Sequence, residues 1–299
     1  MNKTIYLITI VFFSQCGPSK NNSSQENVFE ELSPAENLAW VKQNLDRVMK
    51  PKNFRANNGI TMPYRLFTSP SYNDTTSLPL LIHLHGRGER GTDNTPKIYN
   101  NIPLFNGPNS IVSPNVQYKY PSIVLVPQCS DKTINEEWAK WVGNTPETPF
   151  EGLGEDGSYT MSPLPSESGA AVLQLIDHII EKYNVDESRV YLTGLSMGGF
   201  GTWEYVGRRP DLFAAAVPMA GFSDPNTIDK IKHIPFWIFH GNIDKWNPVQ
   251  SSRNMYDLLN ESGADVRYTE YDSVGHTPAF HLAWQEPELL PWIFSQQKN

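Results

Sequence analysis

The stretch TGLSMGGFGTW, residues 193–203, decides how this chain is read. Ser196 has Gly194 two positions before it and Gly198 two positions after it. That spacing also arises by chance in glycine-rich loops. It has chemical meaning only when a buried strand enters the serine and a helix leaves it. Both are present. SRVYLTG, residues 188–194, reads as a buried strand, and residues 199–208 read as a helix that ends before Pro210. A strand that turns into a helix without a linker puts strained backbone angles at the corner, and small flanking residues keep side chains from colliding there. The corner lifts Ser196 Oγ away from the sheet edge. It also places the Met197 N–H at a helix N-terminus, where it can stabilise a developing oxyanion.

A serine hydroxyl is nearly inert at neutral pH without a base. Its partners are expected at the ends of later strands. FHGNID, residues 239–244, puts Asp244 just past a buried strand, and VGH, residues 274–276, puts His276 after the next one. Asp244 would orient His276 and stabilise its charged form, and His276 would take and return the Ser196 proton. The rivals are Asp224, which follows an apparent strand one step too early, and His281, which lacks a preceding glycine turn. The second oxyanion donor is expected in the loop after an early strand, HLHGRG, residues 83–88. The Arg87 N–H is favoured there, with Gly88 as the neighbouring choice. His85 and His240 are read as structural, holding loop backbone near strand ends. His83, His178 and His233 show no metal-ligand spacing, so neither a metal site nor any cofactor is expected. Trp246 and Trp284 are left open between lining the site and packing.

Around this corner the chain alternates between short apolar runs and helical patterns. The runs fall at residues 64–68, 78–83, 122–127, 190–193, 214–219, 235–240 and 266–271. Several, such as LPLLIHLH and IPFWIFH, are continuously apolar, as strands buried on both faces must be. Val172, Ile176, Ile179, Ile180 and Tyr183 form one helical stripe, and residues 252–259 form another candidate helix stopped near Gly263. The alternation predicts an α/β fold, a mostly parallel sheet with helices on both faces. Near the start, Ser33, Pro34 and Glu36 make a capping box before Leu38, Val41, Leu45 and Val48 at helical spacing. Residues 129–168 are irregular and rich in Gly, Pro and Glu, which predicts a lid or binding loop.

The chain has 299 residues, with 24 basic against 32 acidic side chains and no dense basic run. That balance argues against a nucleic-acid partner, which needs a concentrated basic face. Lys3 and the apolar run at residues 5–13 read as an export signal too short to span a bilayer. Cys16 follows, then a polar tract. The segment resembles a bacterial lipoprotein signal with Cys16 as the lipidated first residue, although Gln15 stands where a small residue is usual. The alternative is an ordinary secretory peptide cut nearby. The organisation expected is a signal over 1–16, a tether over 17–31 and one domain over 32–299. The protein would then be periplasmic or anchored at the outer membrane, with no membrane contact beyond the lipid. Cys129, the other cysteine, is expected to be a buried apolar residue.

Several pieces together resemble a known group: HLHGRGERGTDN, VPQC with the later Trp138, RVYLTGLSMGGFGTWE, PDLFAAAVPMAG, WIFHGNID and DVRYTEYDSVGH. They are similar to bacterial α/β-hydrolases catalogued as predicted peptidases. Those proteins are relatives of feruloyl and acetyl-xylan esterases and of polyhydroxybutyrate depolymerases. The resemblance spans about residues 60–297 and implies the α/β-hydrolase fold with Ser196, Asp244 and His276 as triad. It also implies that Trp138 lies near the acyl or leaving-group pocket, against the alternative of a core tryptophan. The chain departs from the pattern after Asp244, where Lys245, Trp246 and Asn247 precede Pro248, and after His276, where Thr277, Pro278 and Ala279 follow. Both departures bear on substrate preference. The function expected is a secreted serine esterase acting on small-molecule or polysaccharide esters, acetyl or feruloyl. The alternatives are a serine peptidase of the same fold and a non-catalytic surface binding protein.

Overall fold

The computed structural model describes residues 30–133, 135, 140–143, 158 and 160–298. The expected signal, the tether up to residue 29 and Cys16 lie outside them. So do Trp138 and half of the proposed lid loop.

One eight-stranded sheet organises the chain, in the order β1-β2-β4-β3-β5-β6-β7-β8. The strands are β1 (Lys50–Arg55), β2 (Thr61–Thr68), β3 (Leu78–Leu84), β4 (Ile123–Pro127), β5 (Val185–Leu195), β6 (Ala215–Met219), β7 (Phe236–Gly241) and β8 (Val266–Tyr271). β1 and β2 pair antiparallel, as do β2 and β4, and every pair from β4 through β8 is parallel. The helices are α1 (Pro34–Val48), α2 (Pro103–Asn106), α3 (Pro114–Lys119), α4 (Glu167–Lys182), α5 (Met197–Arg208), α6 (Ile228–Ile231), α7 (Gln250–Glu261), α8 (His276–Ala283) and α9 (Leu289–Ser295).

The apolar strands make two cores at once. On β3, Leu80, Ile82 and Leu84 join α4 and α7 side chains on one face, while Leu81 joins α1, α8 and α9 side chains on the other. β4 and β7 divide in the same way, with Ile123, Leu125, Phe236 and Ile238 on the first face and Val124, Val126, Trp237 and Phe239 on the second. A strand whose successive side chains both enter a core cannot alternate polar and apolar, which is why these strands read as unbroken runs.

The polar strand β1 has no such signature. Its KPKNFR sequence is mostly exposed along the sheet edge, where lysine and proline discourage further pairing. It joins β2 through a turn in which Gly59 takes φ 87°, a left-handed conformation that glycine adopts without steric cost. The capping box of α1 forms as expected, with the Ser33 side chain accepting from the Glu36 N–H and the Glu36 carboxylate accepting from the Ser33 N–H. Cys129 is fully buried in the core. Among the described residues, no helix is long and apolar enough to cross a membrane.

Candidate active site

β5 runs into α5 at Ser196, which adopts φ 53° and ψ −120°. A non-glycine residue rarely occupies this region, and holding it there requires support from the surroundings. The support is close backbone packing. The Ser196 N–H donates to the Met219 carbonyl at 2.9 Å, tying the corner to β6. A Cβ on Gly194 would overlap the Gly198 carbonyl, and one on Gly198 would overlap the Leu84 carbonyl at the end of β3. The two glycines are thus required by contact between backbones. Met197 opens α5, and Arg87 opens a short 3-10 turn over Arg87–Glu89. Both hold first-residue positions, whose N–H groups helical hydrogen bonding does not use. Both also line the cleft that contains Ser196.

The loop bearing Arg87 is held from beneath. His85 is buried, its Nδ1–H donating to the Gly86 carbonyl at 2.6 Å and its Nε2 accepting from the Cys129 N–H at 3.0 Å. Burial lowers its pKa to about 4, so the ring stays neutral. Trp141 donates its indole N–H to the His85 carbonyl at 3.0 Å. Gln128 accepts from the Asn94 N–H at 2.8 Å and donates to the Glu89 carbonyl at 3.2 Å and to Asp93 Oδ1 at 2.9 Å. The GERGTDN and VPQC segments are therefore one hydrogen-bonded unit. Glu89 also lines the cleft, and burial raises the pKa of its carboxyl.

The opposite wall comes from the loops after β7 and β8. A Cβ on Gly241 would overlap the Val274 carbonyl. Asn242 donates to Asp272 Oδ1 at 2.7 Å and accepts from the Ser273 N–H at 2.8 Å. These contacts bind the two loops together and bring Asp244 to His276. The His276 Nδ1–H donates to Asp244 Oδ2 at 2.5 Å, and the Ser196 hydroxyl donates to His276 Nε2 at 2.8 Å. The Asp244 side chain is fully buried. Burial alone would raise its pKa, but hydrogen bonds from His240, His276 and the Asn247 N–H outweigh this and hold the carboxyl well below the usual carboxylate range. Asp244 Oδ1 accepts from the Trp246 and Asn247 N–H groups at 2.8 and 3.0 Å. The Lys245–Asn247 departure therefore supplies backbone donors to the acid. Asn247 also donates from its side chain to the Ala220 carbonyl at 2.6 Å.

The structure separates the rivals. Asp224 accepts from the Met161 N–H at 2.8 Å and from the Asn226 N–H at 2.9 Å, and it caps a short turn. His281 lines the cleft, but His276 holds the bond to Ser196. Trp284 is buried against His83, whereas Trp246 is 76% exposed and lines the cleft. Trp138 lies outside the described residues. Trp141, which the sequence reading passed over, is the described tryptophan that touches the oxyanion-side loop. His240 holds loop backbone as expected, by way of the Asn247 carbonyl, and in addition reaches Asp244 Oδ2 at 3.3 Å. Gln128 belongs to VPQC and Trp141 follows it in the chain, but nothing in the sequence shows which groups either one bonds. Among the described residues, no three His, Cys, Asp or Glu side chains are grouped to hold a metal ion.

With this geometry in place, the chain can be compared with known proteins. A model of the prolyl oligopeptidase family matches residues 170–258. Acetylxylan esterase A of Emericella nidulans is 35% identical over 94 residues, covering 28% of this chain and 31% of that protein. The crystal structure of a thermostable esterase superposes with a TM-score of 0.70 at 33% identity, over 84% of this chain and 64% of that one. The feruloyl esterase module from Clostridium thermocellum, complexed with sinapinate, superposes with a TM-score of 0.56 at 15% identity, over 84% of this chain and 89% of that one. The curated relatives are matched over 12% to 31% of their own length. The fold is that of the α/β-hydrolases, and the chain is a relative of esterases that share it.

Proposed function

We propose that this protein is an exported serine esterase. The observation that carries the reading is the continuous run of hydrogen bonds from Ser196 through His276 to Asp244, at 2.8 and 2.5 Å, opening onto a cleft of about 1110 Å3. In this reading His276 Nε2 takes the Ser196 proton as Oγ attacks the ester carbonyl. The negative charge that develops on the carbonyl oxygen is met by the Met197 and Arg87 N–H groups. His276 then gives its proton to the departing alcohol oxygen, leaving an acyl-enzyme, and water activated by the same nitrogen releases the acid. Asp244 stays ionised and stabilises the His276 cation formed at each step. The chemistry calls on no cofactor.

The cleft is at the upper end of the range for small-molecule sites, so it has room for more than a short acyl chain. Trp246 stands on the Asp244 loop and lines the same cleft as His276. An exposed indole suits a sugar ring. Together with the acetylxylan esterase relative, this supports acetyl or feruloyl esters on polysaccharides as substrates. The N-terminal segment supports export with lipid attachment at Cys16, which mass spectrometry of the mature protein checks. A fluorophosphonate probe is expected to label wild-type protein and not Ser196→Ala, and wild-type protein is expected to hydrolyse small aryl esters. A folded wild-type protein that is neither labelled nor active would rule the proposal out.

The match to the prolyl oligopeptidase family favours a second reading, a peptidase using the same three side chains. Turnover of matched ester and anilide substrates separates the two. Faster anilide cleavage selects the peptidase.

A further inference from the structure

His240 is fully buried at the end of β7, and three polar atoms surround its ring. Nδ1 lies 2.7 Å from Ser252 Oγ on α7, and Nε2 lies 3.0 Å from the Asn247 carbonyl and 3.3 Å from Asp244 Oδ2. A carbonyl and a carboxylate can only accept, so Nε2 must carry a proton, bonded to the Asn247 carbonyl with Asp244 Oδ2 beside it. In the neutral ring Nδ1 is then an acceptor, and the Ser252 hydroxyl is the donor that fills it. The acceptors at Nε2 fix the tautomer, and Ser252 supports it by filling Nδ1. Asp244 Oδ2 accepts the His276 Nδ1–H at 2.5 Å and lies 3.3 Å from His240 Nε2, close enough for that N–H to favour its negative charge.

The other charges near His240 are already paired. Glu270 on β8, its register partner, is bonded to Arg253 of α7 at 2.6 and 2.8 Å and to the Tyr268 hydroxyl at 2.6 Å. β6, on the other flank, brings Met219 and Phe239 into register and presents no ionisable group in its Ala215–Met219 span. Lys245 on the same loop is exposed. Asp244 is therefore the charge that the His240 N–H serves.

We propose that His240, supported by Ser252, is a positioning residue that holds the Asp244 carboxylate toward His276 and limits how strongly that carboxylate binds the His276 cation. The proposal rests on the triad reading above. Polar contacts run from Ser252 through His240, Asp244 and His276 to Ser196, the His240–Asp244 contact at 3.3 Å being the longest. Without the His240 N–H, Oδ2 would answer to His276 alone. The carboxylate would then accept more strongly, the charged form of His276 would gain, and the neutral form needed to take the Ser196 proton would appear only at higher pH.

The test compares wild type with His240→Gln, His240→Leu and Ser252→Ala, each first shown to be native by circular dichroism. A glutamine amide can return an N–H to the place of Nε2, and a leucine cannot. For His240→Leu, the acid limb of kcat/KM is expected to move to higher pH, kcat to fall about tenfold with KM little changed, and the His276 Nδ1–H proton resonance to move downfield. His240→Gln is expected to restore both limb and resonance. Ser252→Ala is expected to move them in the same direction as leucine but by less, and it carries the test if His240→Leu does not fold. A limb and a resonance unmoved in both His240→Leu and Ser252→Ala would overturn the proposal, as would equal losses for Gln and Leu. The NMR readout needs no turnover. If the resonance moves while wild type hydrolyses no ester, the esterase reading fails and the positioning role stands.

Discussion

The two walls of the cleft are built by different forces. On the Ser196 side, backbone lies against backbone: Gly194 against Gly198, Gly198 against Leu84, and the serine pinned by the Met219 carbonyl. On the Asp244 side, hydrogen bonds dominate, with His240, Asn242, Trp246 and Asn247 all bonded to the loops that carry Asp244 and His276. The first wall tolerates almost no added volume. The second has one such close approach, Gly241 against Val274, and otherwise depends on its donors and acceptors. Damage to the packed wall should therefore appear as lost stability, and damage to the bonded wall chiefly as lost catalysis.

Ser196→Ala removes the atom at which the walls meet. It is expected to lower ester hydrolysis by on the order of a million-fold while leaving the thermal melt close to wild type. Asp244→Asn breaks the bonded wall at its centre. A loss in kcat of about 10⁴ is expected, read from steady-state kinetics. The same variant gives a pH signature. A carboxyl held below its ordinary value adds stability that is complete above about pH 4 and disappears as pH falls through the lowered folded value. The melting temperatures of wild type and Asp244→Asn are therefore expected to differ most near neutrality and to converge in acid.

Gly198→Ala tests the packed wall. Its Cβ would overlap the Leu84 carbonyl, which cannot swing aside as a side chain can. A loss of about 3 kcal/mol is expected from overpacking, read as a lower urea midpoint. If Gly198→Ala unfolds no earlier than wild type, the contrast between the walls is broken. Trp246→Ala touches only the rim. It is expected to raise KM for acetylated xylooligosaccharides roughly fivefold, as the loss of about 1 kcal/mol of aromatic contact would, and to leave ethyl acetate turnover unchanged. An equal effect on both substrates would argue against a sugar on that side.

The same contrast explains what the sequence disclosed. The packed wall can be read from residue types, because only glycine permits such close approach and glycine is visible in the chain. Strands buried on both faces are also visible, as in LPLLIHLH, so the places of β3 through β8 along the chain can be read, though not their order in the sheet. Asp244 and His276 were found from their places after strand ends, and the structure brings both within hydrogen-bond distance of their expected neighbours. β1 was missed because an exposed edge strand needs no apolar face. The carboxylate contact of His240 was missed because a histidine that holds a loop and one that also reaches an acid look alike in sequence. Gln128 and Trp141 were missed for a related reason. Their partners lie in a loop 34 to 56 positions earlier in the chain, and no local pattern records the pairing.

Gln128 has a consequence for the order of assembly. It stands just past the end of β4, and β4 lies between β2 and β3 in the sheet although the chain makes it after both. The loop that carries Arg87 is made early, but the amide that fixes its path through Glu89, Asp93 and Asn94 arrives only when β4 has been inserted. The path of the Arg87 loop therefore depends on a strand made after it in the chain. A chain halted before β4 would carry the loop sequence in full without the means to shape it.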